Sequence, residues 1–134
     1  MFTNETISPL PVFTLDTAVP VLSDVDITPD IVLEKLRIIQ PYKSPGPDGW
    51  LPKVIKESAD TICIPLSKLY SKSLSNGSLP KDWKIAHIVP IFKKGNKQLA
   101  SNYRPISLTS IIGKVMESIV KDAIMAHMFQ YNFF

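Results

Sequence analysis

Proline limits most strongly what this chain can become. Twelve prolines stand against five glycines in 134 residues. Each fixes φ and removes an amide donor, which predicts frequently interrupted helices and stiff loops. They cluster most densely in "YKSPGPDGW" at 42–50, where Pro45 and Pro47 bracket Gly46 and Asp48-Gly49 follows. Pro-Gly and Asp-Gly both favour turns, and Asp48 can bond its own backbone, so this stretch reads as a stiff, shaped loop between helical segments.

The segments between the prolines carry their own signals. At 28–31, "TPDI" starts a helix, with Thr28 as N-cap, Pro29 in the first helical position and Asp30 near the positive helix end. Ile31, Val32, Leu36 and Ile39 share a face of it, and Pro41 is the stop. A second helix is expected over 51–60, with Leu51, Val54, Ile55 and Ala59 inward. A third is expected over 62–75, with a stripe of Leu66, Leu69, Tyr70 and Leu74, Pro65 in its first turn and Asn76-Gly77 at its end. "LPKDW" at 79–83 reads as one tight helical turn carrying Trp83.

The period changes at Lys84. "KIAHIVPIFKKGN" alternates, with Ile85, Val89 and Ile91 on one side and Ala86, Ile88 and Phe92 on the other. Apolar residues on both sides suggest a mostly covered strand, and Pro90 suggests an edge or a bulge. "YRPISLTS" at 103–110 is the returning strand, with Pro105 forcing a second irregularity. From 111 a helical period of Ile112, Val115, Met116, Ile119, Val120, Ala123 and Ile124 runs to about Phe129. Helices, a hairpin and a helix make an α+β fold of about one domain over 28–134. Residues 1–27, acidic and broken by Pro9, Pro11 and Pro20, are expected to form a loosely ordered arm.

Charge is unevenly placed. Residues 1–34 hold six acids and no Lys or Arg, whereas 35–134 hold all fifteen bases against six acids, a net of +9. Such a body suits an anionic partner, nucleic acid first, although a solvated lysine-rich surface gives the same count. The single Cys63 forms no internal disulfide and no zinc site, and is expected to be buried. Neither a signal-peptide pattern nor an apolar run of membrane-span length occurs, so a soluble intracellular protein with no membrane partner is expected.

The most chemical stretch is 93–104. Lys93, Lys94, Lys97 and Arg104 cluster at the turn between the strands, where lysines meet phosphate as point charges and Arg104 as a two-pronged fork. Tyr103 beside them can stack on a base or pack into the domain. A solvated hairpin tip carries the same residue types. Trp50 and Trp83 are expected to pack under the loops, and Met116, Met125 and Met128 to fill a helix face. His87 sits on a strand with no Cys or Asp ligand partner near it in sequence, and His127, near the end of a helix, can favour the helix dipole when charged.

In order, "KSPGPDGW" at 43–50, "LPKDWKIAHIVPIFKKGN" at 79–96 and "SNYRPISLTSIIGKVMESIV" at 101–120 closely resemble the N-terminal, fingers-side part of the reverse transcriptase domain of non-LTR (LINE-like) retrotransposons. The resemblance runs from about Thr28 to the C-terminus. It implies that the hairpin folds over an incoming nucleoside triphosphate. Lys93 or Lys94, together with Arg104, would neutralise its phosphates. Pro105 and Ile106 would set the backbone beside the templating base. Ser44, Pro45, Gly46, Pro47, Asp48 and Gly49 would form a loop on the template side. The full family enzyme takes an RNA template, a DNA primer and dNTPs, with Mg²⁺ held by acidic residues downstream of the Arg-Pro-Ile segment.

Those acids are not in this sequence. Only Glu117 and Asp122 follow Arg104, both at helix-surface positions, and no two acids are adjacent anywhere. The one close pair, Asp24 and Asp26, reads as an acidic lead into a helix. No catalytic residue, no metal site and no cofactor of its own are therefore expected. The expectation is a polymerase fragment inactive alone, with a residual nucleotide- or nucleic-acid-binding module, or a relic, as alternatives.

Overall fold

Thr28 does what its position demands. Its backbone is extended (φ −86°, ψ 156°) and its Oγ1 accepts from the Ile31 amide at 3.3 Å. Helix α1 follows over Pro29–Arg37, with Asp30 in the first turn and Lys35 and Arg37 in the last, signs that favour the helix dipole at both ends. The computed structural model describes residues 21–22 and 24–132, so most of the expected acidic arm, with Pro9, Pro11 and Pro20, lies outside the described residues.

Helix α2 (Pro52–Glu57) and helix α3 (Ala59–Asn76) divide at Ser58 rather than after residue 60. Ser58 directs its hydroxyl back to the Val54 carbonyl at 2.7 Å, which closes α2 and leaves α3 without a side-chain cap. Two expectations change here. Leu51 and Val54 face outward, and Pro52 and Ile55 are the buried residues of α2. Pro65 lies inside α3, not in its first turn. Pro65 and Thr61, whose carbonyl loses the missing N–H, are both exposed, so the break falls on the solvent side. Gly77 ends α3 as expected, with backbone bonds from Gly77 to Leu74 and from Ser78 to Ser73.

Helix α4 spans Ile111–Gln130 and starts at Ser110, a buried N-cap whose Oγ accepts from the Gly113 amide at 3.3 Å. The core is helical. Ile27, with Val32 and Leu36 of α1, meets Ile55, Ala59, Cys63, Leu66 and Tyr70 of α2 and α3, and Ile111, Val115, Met116 and Ile119 of α4. Val32 and Leu36 are fully buried, which is worth about 1.5–3 kcal/mol each. A surface ion pair joins Lys35 of α1 to Asp122 of α4, and the hydrogen bond from Lys35 holds the Asp122 carboxyl below the usual carboxylate range.

Strands β1 (Ala86–Phe92) and β2 (Tyr103–Thr109) pair antiparallel without a bulge, from Ala86 opposite Thr109 to Phe92 opposite Tyr103. Pro90 lies opposite Pro105. The Lys93 amide bonds the Asn102 carbonyl at 2.8 Å, and by alternation the Pro90–Pro105 pair is one that exchanges no ladder bonds. The prolines therefore leave the register unbroken and instead remove outward donors from both edges, which blunts pairing with another strand. The expected covering is absent among the described residues: Ile88 is 62% exposed, and Ile85, Val89 and Ile91 are exposed too, because the sheet there has two strands and no helix packs closely on it. Helices and one hairpin make the described residues α+β.

Candidate nucleic-acid interface

The hairpin tip is a built turn. Gly95 has φ +90°, and a Cβ there would meet the Asn102 side chain at 2.9 Å, so glycine is required. Asn102 Nδ2 donates to the Asn96 carbonyl at 2.8 Å, and Asn96 Oδ1 accepts from the Gln98 amide at 2.9 Å. Tyr103 donates its hydroxyl to the Lys97 carbonyl at 2.8 Å. Its ring tilts against Phe92 at 5.5 Å, and Lys97 Nζ lies 5.7 Å from the centre of the Phe92 ring. Of the two roles open to Tyr103, its contacts serve the tip.

Register sorts the basic residues by face. Paired residues of an antiparallel ladder share a face and neighbours alternate. Arg104, opposite Ile91, therefore lies on the face of Val89 and Ile106, and Lys93, continuing the ladder opposite Asn102, falls on that same face. Pro105 belongs to the other face, with Pro90, Phe92 and Tyr103. Lys94 begins the turn itself. Lys93, Lys94 and Arg104 are all exposed, and none has a carboxylate partner among the described residues.

The loop at 44–49 sits elsewhere. The Gly49 amide bonds the Gly46 carbonyl at 3.1 Å, closing the Gly46-Pro47-Asp48-Gly49 turn. Gly46 is buried against the end of β2, where a Cβ would come within 2.5 Å of the Thr109 carbonyl oxygen and 2.8 Å of the Ser110 nitrogen. The loop thus braces the base of the hairpin, not its tip. At roughly 3.3 Å per residue, Arg104 lies about 17 Å along β2 from Thr109. Ser44 and Gly49 are exposed, and Pro45, Pro47 and Asp48 are half-buried. Asp48 does not bond its own backbone: its Oδ1 is buried with no partner among the described residues.

Other candidates are dispersed. His87 is exposed on β1, and Asp24 Oδ1 accepts from the Val25 amide at 2.8 Å. Among the described residues no three His, Cys, Asp or Glu side chains converge on one point. Cys63 is buried, as expected. Trp83 packs edge-on against Tyr70 at 5.7 Å, but Trp50 is 53% exposed and does not pack under its loop. The sequence reading missed Tyr42, which is 92% exposed beside Lys43. It also missed the close packing of Gly46, for which no local signal exists.

No protein-family model matches the chain. It is 33% identical over 97 residues, 71% of its length, to the Retrovirus-related Pol polyprotein from type-1 retrotransposable element R1 of Bradysia coprophila. It is 31% identical over 90 residues, 66% of its length, to the Probable RNA-directed DNA polymerase from transposon BS of Drosophila melanogaster. It is 30% identical over 100 residues, 74% of its length, to the RNA-directed DNA polymerase from mobile element jockey of Drosophila funebris. The aligned part covers 10%, 10% and 11% of these relatives, so the chain spans about a tenth of their length.

Proposed function

We propose, from the chain's homology to the RNA-directed DNA polymerases of non-LTR retrotransposons, that it is the phosphate-gripping fingers portion of such a polymerase and carries no catalytic centre of its own. The observation that carries this reading is that Arg104 and Lys93 fall on one face of the hairpin close to its turn, both exposed and without a carboxylate partner among the described residues. A triphosphate is multiply anionic. A forked guanidinium beside an ammonium suits it, with charge-assisted hydrogen bonds stronger than neutral ones.

In this reading Lys93 is the principal lysine, because the pleat puts it with Arg104, and Lys94 contributes general field. Pro105 and Ile106 set the backbone near the templating base, and the Ser44–Gly49 loop fixes the hairpin's base on the template side. RNA template, DNA primer and dNTP are the partners of the complete polymerase, whose Mg²⁺ is held by carboxylates this sequence does not supply. No helix among the described residues is long and apolar enough to cross a membrane.

The test is a titration of the purified chain with a fluorescent dNTP. The double variant Lys93→Ala/Arg104→Ala is expected to weaken binding by about tenfold or more, since a hydrogen bond to a charged group contributes about 1.5–3 kcal/mol. Lys94→Ala should have a smaller effect. Equal affinities for wild type and the double variant would refute the assignment.

A further inference from the structure

Three hydroxyl residues stand directly before a proline: Ser8, Thr28 and Ser44. A serine or threonine followed by proline is the step that proline-directed protein kinases read. The two such steps within the described residues differ in what their hydroxyls do. Thr28 is half-buried, and its Oγ1 is committed to the N-cap of α1, accepting from the Ile31 amide at 3.3 Å. Ser44 is exposed in an irregular stretch, and its hydroxyl has no hydrogen-bond partner among the described residues. Pro45 biases Ser44 towards extended backbone, the form in which a kinase cleft takes its substrate.

The surroundings of Ser44 suit the product of that reaction. Ser44 lines a groove of about 220 Å³ together with Lys43, Lys114 and Ser118. No carboxylate lines it. Lys35 is also present, but its ammonium is engaged by Asp122. Lys43 and Lys114 are both exposed, and neither has an ion pair among the described residues. Lys114 stands in the first turn of α4, which holds no acidic residue. A cation there opposes the helix dipole, whereas an anion there is favoured. Phosphoserine carries about −1.5 to −2 charge and three strong acceptor oxygens, so at position 44 it would meet two free ammonium groups and the positive end of a helix.

We propose that Ser44 is a phosphorylation site for a proline-directed protein kinase, and that its phosphate is held between Lys43 and Lys114, tying the 42–50 loop to the first turn of α4. The Ser44 hydroxyl oxygen attacks the γ-phosphorus of ATP. The bond from that phosphorus to the β-phosphate oxygen breaks, ADP leaves, and the hydroxyl proton passes through the kinase's base to solvent. The charge added at Ser44 makes the docking of this loop on α4 a switchable contact. The proposal does not rest on the polymerase reading, since it uses neither the hairpin tip nor a triphosphate grip.

The experiment treats the full chain with a proline-directed kinase and Mg-ATP, in a Ser8→Ala background that removes the step outside the described residues. Intact mass counts the phosphoryl groups, and phosphorus NMR then titrates the product. One phosphoryl group per chain is expected. It should be lost in Ser44→Ala and Pro45→Ala and kept in Thr28→Asn, which preserves the helix cap. The second pKa of the phosphate should lie about 1 pH unit below its ordinary value of about 6, because two ammonium groups favour the dianion. Lys114→Ala lies far in sequence from the step the kinase reads, and should return the phosphate most of the way to its ordinary value. Lys114→Arg should keep it low, which separates charge from folding. Three results overturn the proposal. One is no transfer to Ser44 of the native chain. Another is transfer that persists undiminished in Ser44→Ala or Pro45→Ala, which indicates a different hydroxyl or a kinase that ignores the proline. The third is the same phosphate pKa in the wild type and Lys114→Ala, which leaves the phosphate in water with no clamp. Each of these outcomes leaves the dNTP titration and its reading untouched.

Discussion

Tyr70→Ala is expected to destabilise the protein by about 3–5 kcal/mol, the cost of emptying a large aromatic site in a packed core. Tyr70 is fully buried on α3, and its hydroxyl donates to the Ile112 carbonyl at 2.8 Å in the first turn of α4. Its ring also meets Trp83, so one side chain ties α3, the turn at 81–84 and the start of α4 together. Urea midpoints give the measurement. Tyr70→Phe keeps the ring and loses only the hydrogen bond, and should cost about 1–2 kcal/mol.

The same hydroxyl makes a pH prediction. Burial raises the Tyr70 pKa above its ordinary 10.0. A raised folded-state value means that the folded protein keeps a proton the unfolded chain releases. Its contribution is complete below the unfolded value of 10.0 and is lost progressively as pH rises above it. Wild type should therefore lose more stability than Tyr70→Phe above pH 10.0. Parallel losses in the two proteins would show that Tyr70 is not the titrating group.

Gly46→Ala is the second large effect. Its new methyl would run into the Thr109–Ser110 peptide group, with the Thr109 oxygen at 2.5 Å, the Thr109 carbon at 2.6 Å and the Ser110 nitrogen at 2.8 Å. None is the end of a flexible side chain, so the loop or the β2–α4 junction must move. Overpacking of this kind costs about 1–3 kcal/mol, and the backbone contacts put Gly46 at the upper end. Gly49→Ala is the control. Its φ of +72° costs about 1–2 kcal/mol of backbone strain, but nothing lies within 4 Å of the added carbon. Gly46→Ala should also loosen the hairpin's base, read as faster amide exchange at Lys114 and Gly113, whereas Gly49→Ala should leave those amides protected. A Gly46→Ala protein as stable as wild type would remove the brace.

What could be read from the sequence was local. Thr28 with Pro29 announced α1, and the long apolar period announced α4, because caps and periodicity are properties of neighbouring residues. The six residues of α2 are too few for a period to distinguish inward from outward, and Leu51 and Val54, expected inward, face solvent. Alternation in β1 placed its two faces but could not say whether anything lay over them, and the apolar faces proved open. Separating Lys93 from Lys94 requires the register, which depends on the pairing of β1 with β2. Gly46 and Tyr42 escaped for opposite reasons: one is defined by a tertiary approach 63 residues away at Thr109, the other by what fails to cover it.

The central claim is a phosphate grip without a catalytic centre. Template-directed primer extension tests it most directly, with the purified chain, an RNA template, a DNA primer, dNTPs and Mg²⁺ or Mn²⁺. The account predicts no dNTP incorporation above a Lys93→Ala/Lys94→Ala/Arg104→Ala control. Template-dependent incorporation that the triple variant abolishes would contradict it, and would mean that this chain assembles metal-binding carboxylates of its own.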